Sequence, residues 1–307
     1  MGIKKIFCFT LLTFVIGTGL ISAAPAGATM VKEIAMGVFT NAPSQAELDR
    51  YYLGHHGPEV VQFSGAWLRK YQLWLPYDPP KEAVERFNAV KGRYAELWFG
   101  SEEEYLDRPA HGPMSKATFK SVGENKQTVV MVPAKPTEEF YDPDPNANET
   151  PIFRWVQIIR YPDGVSVEEG EKWFLNVHAK EALNQPGLMK FVSYRILTEA
   201  GEKMNQLMSK YMSIPPLNTG AGTGAAGGSA PSGGGPSMGN MPKIKTWVRV
   251  NEYWYKDVDA WRKAVLESPP KYTAPSWGGT YPFVDMISTF IPYMHDVDFL
   301  KGGYIVP

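Results

Sequence analysis

A chain of 307 residues with 44% hydrophobic content is long enough to bury one or two cores, and 31 Lys and Arg against 32 Asp and Glu leave a formal charge of −1. That balance gives no electrostatic reason to expect a nucleic-acid partner, so the function has to come from local features. The one cysteine, Cys8, excludes a disulfide framework.

The first stretch reads as an export signal. Lys4 and Lys5 precede an apolar run from Ile6 to Ile21, and Ala26-Gly27-Ala28 supplies the small residues that a signal peptidase requires. The expected organisation therefore begins with a signal peptide over 1–28, and the expected localisation is secreted or periplasmic. Cleavage there removes two lysines and Cys8, which takes the charge from −1 to −3 and leaves no thiolate for a metal site or a nucleophile. An uncleaved anchor and a true start at Met30 are the competing readings of the same residues.

From Lys32 strand and helix signals alternate. Lys32–Thr40 predicts a strand, Asn41-Ala42-Pro43 a turn, and Ser44 with Glu47 three residues on predicts a capped helix start. That helix carries Tyr51-Tyr52-Leu53-Gly54-His55-His56-Gly57-Pro58-Glu59, where Pro58 should kink or end it beside the histidines. Strands are expected over Leu68–Leu75, Arg93–Phe99 and Thr128–Pro133, with helices over Lys81–Lys91 and Glu102–Asp107. Asp142 to Asn148, with Pro143 and Pro145 interleaved, reads as a linker (141–151) and lacks the glycine and terminal Glu of a calcium loop.

The second half repeats the first. At an offset of 122, Lys32–Gly65 falls on Arg154–Gly187 with six identities: Ser44/Ser166, Glu47/Glu169, Leu53/Leu175, His56/His178, Glu59/Glu181 and Gly65/Gly187. Strands are expected over Arg154–Tyr161, Lys190–Leu197, Arg249–Tyr255 and Phe283–Pro292, with helices over Gly201–Tyr211 and Asp257–Leu266. Arg93, Glu96 and Trp98 recur as Arg249, Glu252 and Trp254 at an offset of 156. A Gly/Ser-rich insert, 214–243, accounts for the change of offset and cannot bury a core. The expected domains are thus 29–140 and 152–307, each β-α-β-β-α-β. The fold class is α+β: two ferredoxin-like repeats whose antiparallel sheets pack into an α+β barrel.

Glu47-x-x-x-Tyr51-Tyr52-x-x-x-His56-Gly57-Pro58, followed by Gly65 and an aromatic strand, resembles the first helix and second strand of the EthD-like family of dimeric α+β barrel proteins. The second half departs from this pattern, with Ala179-Lys180 in place of Gly57-Pro58. The resemblance implies small-molecule chemistry inside the barrel without a cofactor, among relatives that include lyases, dehydratases, isomerases and monooxygenases.

The residues themselves nominate candidates. His56 and its counterpart His178 are candidate acid/base groups, since an imidazole titrates near neutrality; His56 shares the sheet-facing side of its helix with Tyr52, and His55 points away. Glu96 and Trp98 project to one strand face, as do Glu252 and Trp254, and a carboxylate among aromatics would have a raised pKa suited to proton transfer. Tyr52, Tyr71, Trp74, Trp98, Tyr194 and Trp254 are the candidate substrate-binding aromatics. No His-x-x-x-His or His-Glu-x-x-His spacing suggests a metal site. The expected function is that of an exported, cofactor-independent lyase, dehydratase or isomerase acting on a small apolar or aromatic molecule through His56 with Glu96 or His178. The alternatives are a non-catalytic binding protein and a haem protein. A homodimer is the other partner to consider, with no nucleic acid and no membrane once the signal is removed.

Overall fold

The computed structural model describes residues 30–39, 44–108, 127–135, 139–141, 153–212, 247–292 and 296–300. The expected signal peptide, the expected insert 214–243 and the expected linker beyond Tyr141 lie outside the described residues. Among those residues no helix is long and apolar enough to cross a membrane.

The first half contributes β1 (Val31–Phe39), α1 (Gln45–Tyr51), a π-helical turn (Tyr52–His56), α2 (Gly57–Ser64), β2 (Leu68–Trp74), α3 (Lys81–Phe87), β3 (Arg93–Phe99), α4 (Glu102–Asp107), β4 (Gln127–Lys135) and β5 (Glu139–Tyr141). The second contributes β6 (Phe153–Arg160), α5 (Val167–Trp173), a second π turn (Phe174–His178), α6 (Ala179–Ala182), β7 (Lys190–Ile196), α7 (Thr198–Met212), β8 (Arg249–Tyr255), α8 (Val258–Arg262), a third π turn (Lys263–Glu267), β9 (Asp285–Pro292) and β10 (Asp296–Asp298). Both expected helix starts are capped as their sequence indicates: the Glu47 amide donates to Ser44 Oγ and the Glu169 amide to Ser166 Oγ.

Strand order makes each half ferredoxin-like. The first runs β2-β3-β1-β4 and the second β7-β8-β6-β9, with the paired strands antiparallel. Two seams join them. β4 and β5 pair with β7, and at the other end β10 pairs with β2, Asp296 opposite Trp74 and Asp298 opposite Gln72. Pro292 and Asp296 are four residues apart, a reach of at most ~14 Å, so the two end strands of the sheet, β9 and β10, lie close together and bring its ends toward each other. The fold is an α+β barrel, as the sequence led us to expect.

Three cores follow from strand alternation. Ile34, Met36, Trp74, Tyr94, Val156, Tyr194 and Val250 meet inside the barrel. The opposite strand faces pack under helices, around Tyr52, Phe63, Tyr71 and Phe99 in the first half and around Trp155, Phe174, Phe191 and Trp261 in the second. The connecting helices cross over: α3 carries Ala83 and Phe87 into the second half's core, and α7 carries Ala200 and Met204 into the first.

The second strands correspond at an offset of 120, Tyr71 facing Leu97 as Phe191 faces Tyr253, with a β-bulge between Leu68 and Lys70. One expectation needs correction: Pro58 does not end its helix. The π turn lets the chain continue, with Pro58 in the first turn of α2, where a missing N–H costs little. Gly57 answers to a contact instead: a Cβ there would stand 2.0 Å from the Phe299 ring, which stacks on Tyr71 with centroids 4.6 Å apart.

The interior carries four buried charges. Lys32 Nζ lies 2.9 Å from Glu96 Oε1 and 2.8 Å from Glu252 Oε1, while Arg154 Nη1 reaches both carboxylates at 3.4 and 3.3 Å. Removing one member of such a set strands the others in a low-dielectric interior. Lys32→Met is expected to cost about 3–5 kcal/mol. Lys81→Ala, at the exposed Lys81–Glu85 pair, is expected to cost under about 1 kcal/mol. Urea denaturation of the two variants checks this, and a loss below about 1 kcal/mol for Lys32→Met contradicts it.

Candidate functional site

The structure divides the sequence-derived candidates between two sides of the sheet. Glu96, Glu252, Trp74, Trp98, Tyr194 and Trp254 share the interior strand face. His56, His178, Tyr52 and Tyr71 belong to the helix-covered side, so the expected cooperation of His56 with Glu96 does not occur: a strand layer separates them.

Inside the barrel the cations of one half engage the aromatics of the other. Lys32 Nζ sits 4.2 Å from the Tyr194 ring centroid, and the Arg154 guanidinium 4.4 Å from that of Trp74. Lys32 and Arg154 occupy equivalent positions, as do Glu96 and Glu252. Trp254 Nε1 donates to Glu252 Oε2 at 3.2 Å, and the half-buried Trp98 and Trp254 end this layer. The expected raised carboxylate is not found at Glu252. Burial alone would lift its pKa, but Lys32 and then Arg154 outweigh it and hold the group at about 2. The same carboxylates push Lys32 upward against its own desolvation. These groups are committed to one another, with two charges of each sign.

On the helix side the halves share a second device. Arg93 pairs with Asp49 and lies over the Tyr52 ring; Arg249 holds Glu171 through two 2.8 Å bonds and lies over the Phe174 ring. Each arginine projects from the third strand, opposite in parity to Glu96 or Glu252, and each anchors the helix just before a π turn. The histidines end those turns. His56 is half-buried, edge-on to Tyr52 at 4.8 Å, and its pKa falls to about 4 through burial and then the Arg93 charge. His178 is only 6% exposed, stacks on Trp173 at 5.0 Å and on Tyr272 at 5.3 Å, and is likewise lowered to about 4 by burial.

The second half lays side-chain amides beneath its histidine. A cavity of about 10 Å³, room for a single water, is lined by His178, Phe174, Gln157, Asn251, Tyr281 and Met286. His178 Nδ1 is buried without a hydrogen-bond partner. Below it Asn251 Nδ2 donates to Gln157 Oε1 at 3.4 Å and Ser193 Oγ to Asn251 Oδ1 at 2.7 Å; Arg249 Nη1 donates to Ser193 at 3.0 Å, and Tyr161 donates to Glu171 at 2.7 Å. A continuous polar chain therefore runs from this cavity to Glu171. The corresponding first-half residues are Ala35 for Gln157 and Ala95 for Asn251, at the offsets of 122 and 156, with Leu73 for Ser193. Gln157, Ser193 and Asn251 escaped the sequence reading, although an amide replacing alanine at matched positions was a visible signal.

Among the described residues no group of three or more His, Cys, Asp or Glu is placed to hold a metal ion. A haem does not fit beside His178 either, where the enclosed space admits one water.

No family model matches the chain, and no curated protein matches it. Solved structures do align over most of its length. An anthrone oxidase-like protein is 9% identical, with 89% of this chain and 95% of that one covered and a TM-score of 0.48. A mutant chlorite dismutase from Candidatus Nitrospira defluvii in complex with cyanide is 9% identical over 87% and 91%, with a TM-score of 0.40. Similarity at this level says nothing about activity.

The depressed His178 pKa has a direct consequence for stability. Because its folded value, about 4, lies below the unfolded 6.5, the unfolded chain binds more protons between these limits. The contribution is complete above pH 6.5 and is lost as pH falls toward 4. In urea denaturation at pH 7 and pH 4, the wild type should lose about 3 kcal/mol more than His178→Gln. Equal losses in the two proteins would show that His178 is not buried as a neutral ring.

Proposed function

We propose that this protein binds and processes a small molecule on the helix-covered side of its second half, with His178 as the group that accepts a proton. The observation that carries this reading is a buried, neutral imidazole with an unpartnered nitrogen at the wall of a cavity whose other side holds two side-chain amides. A neutral imidazole can take a proton from a bound molecule, and negative charge developing beside it raises its pKa and strengthens it as a base. The amides of Gln157 and Asn251 are suited to hold an oxygen on which that charge accumulates. Proton abstraction next to a stabilised oxyanion is the chemistry of a cofactor-independent lyase, dehydratase or isomerase.

This reading moves the reacting group from His56 to His178. His56 has Ala35 and Ala95 at the positions where His178 has Gln157 and Asn251, so the strands beneath it offer no side-chain amide at those positions. Membership of the EthD-like family is part of the proposal and rests on the Glu47 to Pro58 pattern with Gly65. Export rests on the leader-like residues 1–28. A non-catalytic binding protein is the second reading, favoured by how little space the cavity offers.

The test is a panel of small aromatic ketones and β-keto acids incubated with the full chain in D₂O and followed by proton NMR for exchange or conversion. On a substrate that reacts, His178→Gln is expected to lower kcat/KM by about 10²-fold or more, the usual contribution of a positioned base. His56→Gln should stay within a few-fold of wild type. Undiminished turnover by His178→Gln would sink the assignment, and binding without exchange across the panel would favour the second reading.

A further inference from the structure

Residues 268–284, between the third π turn and β9, form a long connection without a helix or strand of its own. Segments of that length inside a packed domain usually serve a site. This one lies over His178. The Tyr272 ring is nearly parallel to the imidazole, with centroids 5.3 Å apart and planes at 27°, and nearly parallel to Tyr281 at 4.4 Å and 12°. Tyr281 in turn lies 6.3 Å from His178 and lines the cavity. The Tyr272 hydroxyl accepts a 2.8 Å bond from Gln185 Nε2, and Gln185, itself buried, accepts through Oε1 from the Tyr255 hydroxyl.

A phenol is thus already seated at the site, stacked on the histidine and hydrogen-bonded through its oxygen to a fixed amide. It belongs to a loop whose hold on the helices is largely solvent-exposed. Thr273 donates to Glu181 through its amide at 2.8 Å and its hydroxyl at 2.5 Å, and Ser276 Oγ donates to Glu169 at 2.6 Å. Exposed bonds of this kind can be exchanged for bonds to water when the loop moves. Deeper contacts come from Trp277, which packs on Trp173 at 5.2 Å, and from Trp173 Nε1, which donates to the Thr273 carbonyl at 3.4 Å.

We propose that Tyr272 is an internal plug: the niche it fills beside His178, Tyr281 and Gln185 accepts a planar aromatic ring bearing a hydroxyl or keto oxygen, and loop 268–284 moves outward when such a ligand enters. The proposal rests on the His178 reading of the site and names its ligand class. Gln185 is the specificity group. A site whose buried amide expects an oxygen discriminates against a ring that lacks one.

The experiment uses the full chain with 2-naphthol as probe and naphthalene as its oxygen-free control. Tyr272→Ala is expected to bind 2-naphthol at least tenfold more tightly than wild type, and at least tenfold more tightly than it binds naphthalene. Adding Gln185→Leu to that variant should erase the preference for 2-naphthol. In the wild type, 2-naphthol should accelerate tryptic cleavage after the exposed Lys271, inside the loop, by about tenfold or more. Binding of neither probe by a folded Tyr272→Ala, or equal binding of both that Gln185→Leu leaves unchanged, overturns the proposal; so does cleavage at Lys271 indifferent to 2-naphthol, an arm that needs no variant to fold. Failure here is distinguishable from failure of the catalytic reading. Specific 2-naphthol binding with His178→Gln turnover unimpaired would keep the niche and remove the base, whereas no binding with turnover dependent on His178 would do the reverse.

Discussion

The structure depends on Lys32. Its ammonium group is buried between a carboxylate of its own half and one from the other, and Arg154 closes the set on the far side. Buried ion pairs add little net stability over apolar packing, because desolvation consumes most of the Coulombic gain. What this set supplies is register. Glu33, the next residue, faces the helix side and pairs with Arg108 through bonds of 2.9 and 2.5 Å. A slip of β1 by one residue would turn Glu33 inward toward two further carboxylates and send Lys32 among apolar rings. Consecutive residues of opposite sign, each paired on its own face, exclude that slip. Because Lys32 reaches Glu252, the register of the first half also fixes how the second docks.

On this shared frame the two halves differ beneath their histidines. Both keep the acid–arginine–aromatic contact and the π turn ending in histidine, and π turns interrupt helices most often where function is concentrated. Under His56 the strands present Ala35, Leu73 and Ala95, and the segment carrying Phe299 packs in. Under His178 they present Gln157, Ser193 and Asn251, and an aromatic loop lies above. At these three strand positions one half presents apolar side chains and the other polar ones.

Most of the architecture was legible because it is written in local signals. Serine caps, strand alternation and the paired offsets locate the helix starts and nearly every strand, and hence the barrel. Parity also joined Glu96 to Trp98 and Glu252 to Trp254, but it specifies which residues share a face without saying which face is enclosed. The wrong pairing of His56 with Glu96 followed from that gap. The π turns were invisible, since a wider turn leaves no mark on a 3.6-residue pattern. β10 and loop 268–284 were missed for another reason: one has three residues and the other no periodicity, and both are placed by partners more than ninety positions away, Trp74 and His178.

The pairing of β10 with β2 has a consequence for how the chain reaches this state. Lys32 and Glu252 are 220 positions apart, and β10 lies still farther from β2. Contacts so distant form late, because loop-closure entropy must be overcome before they stabilise anything. Until then β2 is an unpaired edge, with Tyr71 bare where Phe299 will stack and the interior cation lacking one of its two carboxylates. Without β10, the edge of β2 is open to strand addition from another molecule. The short terminal strand acts as a clasp that ends this vulnerability.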